Sequence, residues 1–329
     1  MQKPLISVLM PMKNASPYLQ DCIDSIINQT YENWELLVVN DHSTDDSEKI
    51  MKKYCNDQQR IQLYKNNGSG IIDALKLAYS KSIGSYITRM DADDIMNANK
   101  LSALYDQLES KGKGWVVTGC VKYFSSNKQL NEGYLQYENW INMLTRKETN
   151  YSEIYKECVI PSPCWLINKE DLDQIGGFNS SIYPEDYDLA FRMFYGGIQI
   201  TGVKGVLHLW RDYPERTSRN DPNYSNNAFP LIKTYYFLKH ELITNEDLIL
   251  WGAGKKAKAI AKIFIEKKII FKWITNNPKK IGKHIYGQKI INTDNIIINE
   301  NSQIIIAIAS KDFQPNFLKA TNKNIYRFC

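Results

Sequence analysis

No apolar run in this 329-residue chain is long enough to cross a bilayer, which takes about 20 residues as a helix. The N-terminus has one lysine and a short apolar run ending at Pro11. That is too short for a secretory signal and has no cleavage signature. Cysteine is sparse: Cys22, Cys55, Cys120, Cys158, Cys164 and Cys329 are scattered without metal-ligand spacing. They read as reduced thiols and not as a disulfide framework. Basic stretches interleaved with aromatics, the pattern that stacks bases, are absent, so no nucleic acid partner is expected. What remains, 43% hydrophobic and 23% charged residues, is the composition of a globular protein and not of a disordered one. The expected location is the cytoplasm, with any membrane contact peripheral and at the inner face.

Charge is unevenly distributed. The net value is +5, but residues 244–329 hold fifteen Lys/Arg against six Asp/Glu, while the rest of the chain holds 26 against 30. Such a shift marks a domain boundary. It divides the chain into 1–243 and 244–329. The basic end reads as a lysine-rich solvated surface, with anionic lipid as the alternative partner.

The first half alternates strand and helix patterns. Ile6-Ser7-Val8-Leu9-Met10 is a buried strand pattern ending at Pro11. Ser16-Pro17 then reads as the start of a helix whose stripe is Leu19, Cys22, Ile23, Ile26 and Ile27. Leu36-Leu37-Val38-Val39 has no polar face, as in strands covered by helices on both sides. This alternation predicts a doubly wound α/β sheet, in which ligands bind beyond the carboxyl ends of the strands. Pro11, Asp41 and Asp91 lie at such ends.

Asp91-Ala92-Asp93-Asp94 follows the strand pattern Ser85–Met90. Ionised aspartate is rarely buried without a partner, and hard divalent cations take oxygen ligands of this kind. The residues alone leave two readings: a carboxylate grip on a cation, or the cap of the helix that the Leu101, Leu104, Leu108 spacing predicts. A second acidic cluster, Glu185-Asp186-Tyr187-Asp188, also opens a helix pattern. There the bland reading is complementation of the helix dipole, with Arg192 paired to Asp188 one turn on.

In order, Val8-Leu9-Met10-Pro11, Val39-Asn40-Asp41, Asn67-Gly68-Ser69-Gly70 with Asp73, Asp91-Ala92-Asp93-Asp94, and Gly176-Gly177-Phe178 with Glu185-Asp186 and Arg192 resemble family 2 glycosyltransferases. These are the inverting group with the GT-A fold. The resemblance covers about residues 5 to 220. It implies a doubly wound, mainly parallel sheet with flanking helices, with a donor part over about 1–125 and an acceptor part over 126–243. It implies that Pro11, Asp41 and Asp73 bind the donor and that Asp91 meets its ribose or the metal. Asp93 would be the main ligand of Mn²⁺ or Mg²⁺, Asp186 the catalytic base, and Glu185 a residue orienting the acceptor. Where relatives often carry a histidine after an aromatic-Arg pair, this chain has Tyr213. His208 is then either a replacement metal ligand or a structural histidine, and Arg211 is placed to reach the diphosphate. The stretches 127–155 and 211–227 are the expected acceptor-determining segments.

From Leu248 the pattern becomes strand, Gly252-Ala253-Gly254 turn, helix, strand, a small Rossmann-like unit. The turn can present backbone N–H groups to a phosphate, making Gly252 and Gly254 candidates for a nucleotide site. However, Thr275-Asn276-Asn277 stands where a ribose-binding acid belongs. A structural or homo-oligomerisation role is the other reading. The expected function is metal-dependent transfer, with inversion, of a sugar from a nucleoside-diphosphate sugar, expected to be a UDP-sugar, to a hydroxyl of a glycan or lipid-linked acceptor. The competing expectation is a catalytically silent nucleotide-sugar-binding module acting through its C-terminal domain.

Overall fold

The computed structural model describes residues 3–125, 130–221, 224, 228–310 and 324–329. It divides into two compact units, Met1–Ser152 with Val159–Arg219, and Glu153–Cys158 with Asn220–Cys329.

In the first unit the elements run β1 (Ile6–Met12), α1 (Leu19–Ile27), β2 (Trp34–Asn40), α2 (Ser47–Asp57), β3 (Ile61–Lys65), α3 (Gly70–Lys81) and β4 (Tyr86–Arg89). They continue as β5 (Ile95–Met96), α4 (Lys100–Lys111), β6 (Trp115–Phe124), α5 (Glu132–Lys147), β7 (Trp165–Asn168), α6 (Lys169–Gln174), α7 (Glu185–Tyr195) and β8 (Gln199–Arg211). The short α8 (Thr217–Asn220) comes next. The strands form one sheet in the order β3-β2-β1-β4-β7-β6-β8-β5. β1 pairs in parallel with β2 and β4, and β7 runs antiparallel to both its neighbours.

The apolar pattern explains these placements. Every residue of β2 is buried, as expected for a strand with helices on both faces. The α1 stripe turns Leu19, Cys22, Ile23 and Ile26 inward. Ser16-Pro17 does not start that helix. It forms a turn in which the Ser16 N–H donates to Asp45 Oδ2 at 2.9 Å, and α1 opens at Leu19. The cap reading of Asp91–Asp94 is also not realised: α4 opens at Lys100 with Asn99 before it.

The register of β8 matters for the site. Two shifts in its pairing with β6, around Cys120, carry it across to β5, where His208 faces Met96. Of the expected acceptor segment 127–155, residues 127–129 lie outside the described residues, and α5 occupies most of the remainder.

The second unit contains α9 (Ala228–His240), β9 (Leu248–Trp251), α10 (Lys255–Glu266), β10 (Lys272–Thr275), β11 (His284–Ile285), β12 (Gln288–Asn292), β13 (Gln303–Ile306) and β14 (Ile325–Arg327). The sheet order is β11-β12-β10-β9-β13-β14, parallel except for β11 against β12. The division expected at residue 243 falls inside this unit. Charge changes there, but α9 packs with the smaller sheet: Phe237 meets Tyr326 at 4.9 Å between ring centroids and Lys233 Nζ donates to Phe328 O at 3.2 Å. No helix among the described residues is long and apolar enough to cross a membrane.

Phe237 is fully buried, and truncating such a phenylalanine costs about 3–5 kcal/mol. Phe237→Ala should therefore lower the urea midpoint of the second unit's unfolding. An unchanged midpoint would show that α9 is not part of that unit's core.

Candidate active site

Asp41 stands one residue past β2. Its N–H donates to Met12 O at 2.8 Å, which ties it to the end of β1. Its Oδ1 accepts from Asn66 Nδ2 at 2.7 Å and from the Gly70 N–H at 2.9 Å, and Lys13 Nζ lies 3.5 Å from Oδ2. The residue is buried and its carboxylate is held by a side-chain amide and a backbone N–H. Pro11 lies beside it in β1, half-buried and opposite Val39. Asp73 is used locally: its Oδ2 accepts from the Ser69 N–H at 3.0 Å. A Cβ on Gly68 would stand 2.2 Å from that oxygen, so a side chain there would displace the Asp73 carboxylate.

The carboxylates after β4 are organised by Arg89, the last residue of that strand. Its Nε and Nη2 donate to Asp91 Oδ1 at 3.0 and 2.9 Å, and its Nη1 donates to Glu185 Oε1 at 2.9 Å. Arg89 thus joins the two acidic clusters, reaching Glu185 from 96 residues away in the chain. Asp93 accepts from Tyr213 Oη at its Oδ2, 2.8 Å away. Among the described residues this leaves Asp91 Oδ2 and Asp93 Oδ1 without a protein donor.

Electrostatics distinguishes these groups. Burial opposes ionisation of Asp91, but Arg89 and then Arg216 outweigh it and hold the carboxyl below its ordinary range. Burial and the charge of Asp94 push Asp93 up to about 7 against the pull of Arg216. Burial also pushes Asp94 up to about 8, with Arg216 opposing and Asp91 adding to the rise. Such a set of crowded carboxylates gains from a nearby cation. No three His, Cys, Asp or Glu side chains among the described residues form a complete metal cage. Two free carboxylate oxygens nevertheless suit Mg²⁺-like ions, which take one or two carboxylates and fill the remaining positions with phosphate oxygens and water.

His208 is not a ligand in this arrangement. It is completely buried, with Nε2 2.9 Å from Asp94 Oδ2 and Nδ1 3.2 Å from Lys100 Nζ. Lysine has only donors, so Nδ1 accepts and Nε2 carries the hydrogen given to Asp94. Burial and the Lys100 charge hold the ring well below its ordinary pKa, hence neutral. The Arg211 N–H supplies Asp94 Oδ1 with a second donor at 2.8 Å.

Arg211 is likewise a brace. Its Nε donates to Asp93 O at 2.7 Å, its Nη2 pairs with Asp21 at 3.0 Å, and its guanidinium lies over Tyr18 and Phe124. The arginine whose charge acts on all three aspartates is Arg216. No motif singles it out in the sequence. Arg89 and Lys100 were also not legible as site residues; the signal for Arg89 is its place two residues before Asp91 on the same strand end.

Glu185 and Asp186 open α7. Asp186 Oδ1 accepts its neighbour Tyr187's N–H at 2.8 Å, leaving Oδ2 to face other groups. Burial and the adjacent Glu185 charge push Asp186 up to about 7, with Arg89 opposing. A small cavity beside them is also lined by Arg89 and Ser162, whose buried hydroxyl has no hydrogen-bond partner among the described residues. Arg192 pairs with Asp188 at 2.8 Å and donates to the Ile175 and Gly177 carbonyls, fixing α7 on the Gly176-Gly177 turn. Of the loop 211–227, residues 222, 223 and 225–227 lie outside the described residues. Gly252 and Gly254 belong to the second unit.

A family model described as glycosyl transferase family 2 matches residues 7–176, just over half of the chain. Glycosyltransferase GlyG of Streptococcus pneumoniae serotype 4 is 36% identical over 213 residues, 63% of this chain and 70% of that protein. Glycosyltransferase GlyA of the same organism is 24% identical and aligns with 98% of this chain, which spans half of its length. Among solved structures, S. aureus TarS 1–349 in complex with UDP-GlcNAc matches with a TM-score of 0.54 at 15% identity, over 79% of this chain and 71% of that one. Mannosyltransferase PcManGT from Pyrobaculum calidifontis, in complex with GDP-Man and Mn²⁺, gives 0.52 at 18% identity, over 72% and 63%. The family match, the GlyG identity and the sheet of the first unit together lead to one conclusion: the chain belongs to glycosyltransferase family 2 and is a glycosyltransferase with a GT-A fold.

Proposed function

We propose that this chain transfers a sugar, with inversion and with the help of a divalent cation, from a nucleoside-diphosphate sugar to a hydroxyl of a glycan or lipid-linked acceptor. The donor proposed is a UDP-sugar; TarS, a structural neighbour, was solved with UDP-GlcNAc. The observation that carries the reading is Arg89, which joins the carboxylate after β4 to the acidic pair opening α7. Donor and acceptor groups of a displacement reaction have to stand this close.

In this reading Asp41, beside Pro11, holds the donor's base, and its two amide donors keep its carboxylate in one orientation. Asp91 and Asp93 would hold Mn²⁺ or Mg²⁺ through their free oxygens. That ion would neutralise the charge developing on the departing diphosphate. Asp94, held by His208 and the Arg211 N–H, keeps the Asp91–Asp93 turn in place. Asp186 takes the proton of the attacking hydroxyl at Oδ2, because Oδ1 is occupied by a backbone N–H. Glu185 pairs with Arg89 at 2.9 Å, and its charge adds to burial in raising the proton affinity of Asp186. With its carboxyl near 7, Asp186 is ionised above neutrality. Transfer should then rise with pH through about 7 and level off above it.

Two substitutions test the assignment. Asp186→Asn should leave UDP-sugar binding within about twofold while turnover falls by about 10²–10⁴, the usual worth of a general base. Burial raises the folded-state pKa from 3.8 to about 7, so the wild type loses stability as pH rises between those two values and loses no more above pH 7. The Asn variant should accordingly melt higher at pH 8, with a gain that shrinks as pH falls from 7 and is gone near pH 4. Transfer at wild-type rate would remove Asp186 as the base.

Asp93→Ala should abolish the Mn²⁺-dependent increase in UDP affinity measured by calorimetry. If EDTA and this substitution both leave UDP binding and transfer unchanged, the cation role is wrong.

A further inference from the structure

The second unit contains a cleft of about 770 Å³ that has no part in the chemistry above. It lies beyond the carboxyl ends of β9, β10 and β13, where the chain order reverses: β10 and β13 flank β9 on opposite sides. Crevices at such reversal points are where open parallel sheets bind ligands, and this volume is in the range of small-molecule sites. Gly252 keeps the floor open. Its φ is 127°, and a Cβ there would stand 2.6 Å from Ala307 O, so a side chain is excluded on both grounds.

The charged side chains that line the cleft among the described residues are of one sign. Among the described residues Lys255, Lys256, Lys258 and Lys280 line it, and no Asp or Glu side chain does. None of the four forms an ion pair with a carboxylate among the described residues, whereas Lys262 and Lys272 in the same unit do. Lys256 reaches the Cys329 thiol instead. Four cations around one crevice repel each other, and an anion entering it relieves that repulsion. The lysines are also divided between two places. Lys255, Lys256 and Lys258 come after β9, while Lys280 comes after β10. An acidic residue past the second strand selects a free ribose hydroxyl, and a cation there accommodates a phosphate on it. Here Thr275-Asn276-Asn277 carries no acid, and Asn276 is engaged by the Trp251 indole N–H at 2.8 Å.

We propose that this cleft binds a nucleotide carrying two separate phosphate groups, one against the Gly252–Lys255 turn and one against Lys280. The site is independent of the donor site of the first unit.

The test is calorimetric titration of the full chain with adenosine 2′,5′-bisphosphate and with AMP. The bisphosphate should bind at least tenfold more tightly than AMP. Lys280→Glu should reduce it to the AMP level, and Lys255→Glu should weaken both at least tenfold. Asp41→Ala, in the other unit, should leave both affinities unchanged. Melting curves of the lysine variants, which alter exposed or half-buried side chains, verify that they fold. The proposal is overturned if neither compound binds or if the bisphosphate has no advantage. It is equally overturned if the lysine variants bind normally or if binding disappears in Asp41→Ala.

Discussion

At the end of β4 a guanidinium with only 5% of its residue's surface exposed touches Asp91 on one side and Glu185 on the other. Removing three charges from water is costly, and their attraction offsets that cost only when the geometry is tight and the hydrogen bonds are complete. Arg89 meets this requirement with three N–H groups directed at two carboxylates. Its fork is rigid, so the distance between the two acidic clusters is set by one side chain. A lysine could make one of these contacts but could not span both. The remaining site chemistry depends on this constraint. Arg89 holds Asp91 below its ordinary range against the effect of burial, and burial with the adjacent Glu185 charge pushes Asp186 up.

Around this bridge is a layer of groups that touch no substrate in the proposed reaction and yet determine its geometry. Lys100, His208 and Asp94 form a buried chain in which donor and acceptor directions are settled by lysine having nothing to accept with. Asp94 belongs to the same acidic quartet as Asp91 and Asp93 but is bound to β8 through His208 and Arg211. Arg211 holds the carbonyl of Asp93 and is itself held by Asp21 and two aromatic rings. Two residues that the motif suggested for the ligands, His208 and Arg211, thus support the residues that the reading assigns to them. Buried polar groups of this kind must be fully partnered to be tolerated, which explains why both lie in the interior.

The second unit illustrates the same principle with the opposite balance. Among the described residues its four cleft lysines pair with no carboxylate, in contrast to Arg89. A positive crevice over a parallel sheet is tolerable in water because lysine heads remain solvated, and it is most favourable with an anion in place.

Period and composition in the sequence determined the strands and helices of the first unit, because uniformly apolar strands and a 3.6-residue stripe have few other ways to be buried. The same signals located the β9–α10 turn. The order of acidic residues at strand ends pointed to the side of the sheet where the candidate site stands, because a parallel sheet collects its carboxyl ends on one edge. Local pattern failed where the deciding partner was remote. Ser16-Pro17 has the form of a helix start, but Asp45 draws it into a turn. Asp94 has the form of a cap, but His208, 114 residues later, takes its carboxylate. The charge shift at residue 244 has the form of a boundary, but aromatic packing assigns α9 to the second unit. Only the tertiary structure decided that Arg89 would bridge Asp91 and Glu185, because a contact spanning 96 residues depends on the register of strands and on the turn before α7, neither of which is written in any local stretch of the chain.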